Sequence, residues 1–69
     1  MRELLIKFGY AETEDENEWT KGSWTIRIFT DEMEVFNEPR LNTPGVYHKC
    51  QTNIDNLQNI LENIESRMN

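Results

Sequence analysis

The stretch Thr52-Asn53-Ile54-Asp55-Asn56-Leu57-Gln58-Asn59-Ile60-Leu61-Glu62-Asn63-Ile64-Glu65-Ser66-Arg67-Met68 decides the fold. Ile54, Leu57, Leu61, Ile64 and Met68 fall at alternating three- and four-residue spacings, which keeps them on one side of an α-helix. Tyr47 and Cys50 continue the rhythm upstream. The helix therefore covers Thr52 to Arg67 and has two candidate starts. Thr43 before Pro44 suits an N-cap followed by proline in the first turn. Alternatively, Thr43-Pro44-Gly45-Val46 is a type II turn leading to a short extended piece, and Thr52, with Asp55 three residues on, caps the helix.

An apolar helical stripe needs a surface to bury against, and the residues before it supply strands. Glu3 to Tyr10 alternates, with Leu4, Ile6, Phe8 and Tyr10 on one face. Ser23 to Thr30 and Glu32 to Asn37 do the same, placing Trp24, Ile26, Ile28, Met33 and Val35 together. A turn at Lys21-Gly22 opposes Trp19 to Trp24. Pro39 ends the last strand. The expected fold is α+β: a three-stranded antiparallel meander with one C-terminal helix packed on one face, a single small domain over residues 1–69. Leu5, Phe29 and Phe36 fall on the other sheet face, where an apolar cluster marks an interface.

Charge is the second informative pattern. The chain has 13 acids and 7 bases, net −6. Ten of the acids and four of the bases lie in residues 1–38, so all the excess negative charge is in the strand-rich part. Clustered Lys and Arg are what phosphate neutralisation requires, so direct binding to nucleic acid or to an anionic membrane is not expected. With one cysteine, no internal disulfide is available, and no apolar run reaches membrane-spanning length. The short, charged N-terminus is no signal peptide, and a cytoplasmic location is the expectation.

No residue set builds a catalytic centre. Glu12, Glu14, Asp15, Glu16 and Glu18 lack the glycine and closing glutamate of a calcium loop. His48 and Cys50 are too few for zinc and have no orienting third group for nucleophilic work. No metal, no cofactor and no enzyme activity are expected. The acidic run, on a solvated loop or the tip of a long hairpin, imitates a phosphate row instead. The sequence thus reads as a small acidic binding protein, an inhibitor that occupies a basic, nucleic-acid-binding surface of a partner protein. By analogy of size and charge, it suggests a phage-type counter-defence inhibitor of the anti-CRISPR kind. Glu12, Glu14, Asp15, Glu16 and Glu18 are the candidate electrostatic contacts, with Trp19 and Phe29 as apolar ones. The alternative is a self-assembling structural or accessory subunit, a homodimer joined through Leu57, Leu61, Ile64 and Met68 and through the second sheet face. Opposite the helical stripe lie Asn53, Asn56, Asn59 and Asn63.

Overall fold

Around the strongest alternating segment, Trp24 to Ile28, the chain assembles one sheet. The computed structural model describes residues 1–37 and 45–68. Its elements run α1 (Arg2–Lys7), β1 (Ala11–Glu12), β2 (Glu18–Lys21), β3 (Trp24–Ile28), β4 (Glu32–Asn37), β5 (Val46–Gln51) and α2 (Ile54–Met68). The strands are all antiparallel and neighbour one another in chain order. The α+β class and the C-terminal helix agree with the sequence reading, but the described residues form five strands rather than three.

The N-terminal segment is the largest correction, because Glu3 to Tyr10 contains a helix and not a strand. Two periodicities overlap there. Leu4, Ile6 and Phe8 alternate, while Met1, Leu4, Leu5 and Phe8 follow helical spacing. The helical set wins: Leu5 is fully buried and Ile6 is exposed. Gly9 then stops the helix with φ +89. Its N–H donates to the Ile6 carbonyl (3.0 Å), and that of Tyr10 donates to Leu5 (2.9 Å). That pair of bonds is a Schellman closure, and the buried side chains of Leu5 and Tyr10 meet behind it.

The two-residue turn between β2 and β3 is Gly22-Ser23, one residue later than Lys21-Gly22. Gly22 has φ +60 and Ser23 does not have positive φ, as a type II′ hairpin requires. Trp19 consequently faces Ile26, and Trp24 faces Lys21. The shift is by two positions on the partner strand, so both tryptophans stay on the core face. β5 includes Tyr47 and Cys50, which the helical rhythm had counted; the turn-and-extended alternative is the one realised from Val46 onward. Pro39 and the Thr43-Pro44 step lie outside the described residues.

At the start of α2 the cap is Asn53, not Thr52. The Asn53 side-chain oxygen accepts from the Asn56 N–H at 2.8 Å, whereas the Thr52 hydroxyl donates to the Phe29 carbonyl at 2.8 Å. Asn53→Ala is expected to cost about 1 kcal/mol, read as a fall in Tm of about 4–8 °C.

Leu5, Tyr10, Trp19, Trp24, Ile26, Met33, Val35, Leu57, Leu61 and Ile64 form one core between a sheet face and the two helices. α1 lies over the β1–β2 side, where Arg2 pairs with Glu12 (2.8 Å) and Lys21 Nζ donates to the Phe8 carbonyl (2.6 Å). α2 packs on the same core through Leu57, Leu61 and Ile64. Its first turn is fastened to β5 by Asn56, whose amide donates to the Gln51 carbonyl (2.9 Å). Towards its other end, Glu65 lies near Tyr10. The far sheet face is not an apolar cluster. Leu5 is in the core, Phe29 lies beyond β3, and the face carries the cross-strand row Glu18, Arg27, Glu34 and Lys49. Opposite charges alternate along that row, and the Arg27 guanidinium lies 5.2 Å from the Phe36 ring. The next row on this face is Thr20, Thr25, Phe36 and Tyr47, so charged, polar and aromatic side chains share it, as the second face of an antiparallel sheet allows.

Among the described residues, Tyr10 is the one member of the core cluster with a buried, unpartnered side-chain polar atom. Its hydroxyl is buried without a hydrogen-bond partner among the described residues. Burial, and secondarily the charge of Glu65, pushes its pKa from 10.0 up to about 12. The folded state therefore holds this proton more tightly than the unfolded state. The stability it contributes is complete below pH 10 and is lost as pH rises towards 12. Tyr10→Phe is expected to be neutral or stabilising by about 1 kcal/mol at pH 7. Its denaturation midpoint is expected to fall less than that of the parent between pH 10 and 12.

Candidate partner-binding surface

In an antiparallel meander every second connection emerges at the same end of the sheet. The loop 13–17, the Thr30-Asp31 turn and the step from β5 into α2 therefore share one end. Backbone bonds stitch them together. The Ile28 N–H donates to the Asn17 carbonyl (2.9 Å), Phe29 to Glu32 (2.9 Å) and Thr52 to Asp31 (3.1 Å). The acidic run is the tip of the β1–β2 hairpin, and its shape is fixed from within. Asp15 Oδ1 accepts from the Asn17 N–H (3.2 Å), and the Thr13 hydroxyl oxygen accepts from the Asp15 N–H (3.1 Å). Across the base of the loop, the Thr13 N–H donates to the Glu18 carbonyl (3.2 Å).

Not all five sequence-predicted carboxylates serve the same surface. Glu12 is tied to Arg2, and Glu18 sits in register with Arg27 on the far sheet face. Glu14, Asp15 and Glu16 remain at the tip. Chain topology adds Asp31 and, from the first turn of α2, Asp55. Two apolar side chains stand at the same end, Phe29 at 42% and Ile54 at 49% exposure. Lys49 is engaged by Glu32 at 2.8 Å, which holds the ammonium pKa above its ordinary value. Lys7, Lys21 and Arg67 belong to the opposite end of the sheet, where α1 and α2 terminate.

Other predicted contacts are placed differently. Trp19 is 7% exposed and belongs to the core, so it is no outward anchor. Leu57, Leu61 and Ile64 are buried within the chain, which removes them as an oligomerisation stripe; the Met68 side chain lies outside what is described. Asp31, Ile54 and Asp55 were missed because they are scattered in sequence; only the strand parity that gathers alternate turns could have found them.

His48 and Cys50 share the core-side face of β5. Burial pushes the Cys50 thiol up, so it stays protonated and is a poor nucleophile. Among the described residues no group of three or more His, Cys, Asp or Glu is placed to hold a metal ion. No described helix is long and apolar enough to cross a membrane. Comparison with protein-family models, curated proteins and solved structures returned no match, so residue roles rest on geometry alone.

Proposed function

We propose that this chain is a non-enzymatic binding protein that sets its acidic end against a basic surface of a protein partner in the cytoplasm. The observation that supports the reading most is that Glu14, Asp15, Glu16, Asp31 and Asp55 lie on segments at the same end of the sheet as exposed Phe29 and Ile54. Carboxylates around an apolar centre suit a surface evolved to hold phosphates beside stacked bases. Occupying such a surface inhibits a nucleic-acid-handling partner, and a phage-type counter-defence inhibitor is one protein of that kind. The anionic field steers encounter, and the two apolar side chains slow dissociation.

The test is capture from a cell lysate at low salt, with the parent protein and with the Glu14→Gln, Asp15→Asn, Glu16→Gln variant side by side. A basic, nucleic-acid-binding protein retained by the parent, released by salt and not retained by the variant is the expected result. Equal retention by both would remove the reading.

A further inference from the structure

The core face of β5 is left largely exposed beside α2. Between the two lies a cleft of about 540 Å³ with Trp24, Val35, Ile60 and Ile64 as its apolar floor. Asn56, Asn59 and Asn63 form its helical wall, beside the stripe and not opposite it, and His48 and Arg67 also line it. In a chain of net charge −6, the described lining contains no carboxylate.

β5 also offers a backbone edge. It pairs with β4 on one side, and no described strand pairs with its other side. The Thr52 N–H bonds to the Asp31 carbonyl. By antiparallel alternation Cys50, His48 and Val46 also turn their backbone groups towards β4, while Tyr47, Lys49 and Gln51 turn theirs outward. The Gln51 carbonyl is already taken by Asn56. The N–H and C=O groups of Tyr47 and Lys49 remain to pair with an added strand. Residues of that strand opposite Val46, His48 and Cys50 would share their face and enter the cleft.

We propose that β5 accepts an extended acidic peptide segment from another protein as a sixth strand. A carboxylate side chain near Arg67 and apolar side chains over Val35 and Ile60 fill the cleft. Backbone pairing supplies affinity, and the alternate side chains supply selectivity. Arg67 sets the preference for acid, since the described lining has no carboxylate to oppose it, whereas the acidic end favours basic partners, so the two surfaces select different partners.

The test uses the full chain and a pool of heptapeptides, acetyl-Thr-X-Thr-X-Thr-X-Thr-amide, randomised at X. Selected peptides are expected to carry Asp or Glu at one X position and apolar residues at the others. They should slow amide hydrogen exchange at Tyr47 and Lys49, and lose at least tenfold in affinity when that acid becomes Lys. Lys49→Pro removes an outward N–H without breaking a β4–β5 bond, so it should fold and abolish binding. Arg67→Gln should erase the discrimination between acid and Lys. The Glu14→Gln, Asp15→Asn, Glu16→Gln variant should bind the peptides undiminished, which separates this site from the acidic end. No selected peptide, undiminished binding by Lys49→Pro, or a peptide-free dimer with both amides already protected would overturn the proposal.

Discussion

Leu61→Asp is expected to abolish cooperative folding. Leu61 is 1% exposed and lies in the same cluster as Ile26, Trp24 and Leu57, so its carboxylate would have no water and no cation. Burying an uncompensated charge costs several kcal/mol after relaxation. A domain of this size has a net stability of only about 3–5 kcal/mol from a single core. The expected readout is loss of the thermal transition by circular dichroism and collapse of amide dispersion in NMR. The control is Ile54→Asp in the same helix: half exposed, it should leave Tm within a few degrees of the parent. The pair also discriminates between two roles for the apolar stripe. If Leu61 met a second copy, Leu61→Asp would give a folded monomer; an intramolecular role gives an unfolded chain.

The legible parts of this fold are those where one periodicity dominated. Glu32 to Asn37 is β4 to the residue, and Trp24 to Ile28 lies within the expected strand. From Ile54 onward the helix follows its stripe. Errors arose where two patterns shared the same residues. Met1 to Phe8 satisfies both a two-residue and a helical repeat, and the deciding residue is Gly9, whose left-handed backbone closes a helix and has no place in a strand interior. Tyr47 and Cys50 continue the α2 rhythm by coincidence, because in the structure they pair as strand residues with Phe36 and Met33 of β4. The short strands β1 and β2 were hidden by the acids between them, which make a poor core but a good hairpin tip. The candidate surface was legible only in its continuous portion. Asp31 and Asp55 reach Glu14–Glu16 through topology, and topology depends on the strand count that was misread. The cleft beside β5 was invisible for the same reason, since the sequence left Val46 to Lys49 as either helix or a short extended piece and in neither case as a strand of the sheet.

Neutralising Glu14, Asp15 and Glu16 is expected to slow association with the captured basic partner by about 10- to 100-fold at low salt. The loss should sit mainly in the association rate and shrink as ionic strength rises, because about 8 Å of screening length remains at 0.15 M salt. Adding Asp31→Asn should deepen the loss if the end acts as one field, since that carboxylate reaches the surface on a different turn. Asp15→Asn keeps a side-chain oxygen to accept from the Asn17 N–H, so the hairpin tip should retain its shape. Phe29→Ala should behave differently: its contact is apolar, so the dissociation rate should rise while the salt dependence stays that of the parent. Stopped-flow or surface-based kinetics at several salt concentrations separate these outcomes. An association rate indifferent to both salt and the neutralised carboxylates would mean that the acidic end only keeps the domain soluble.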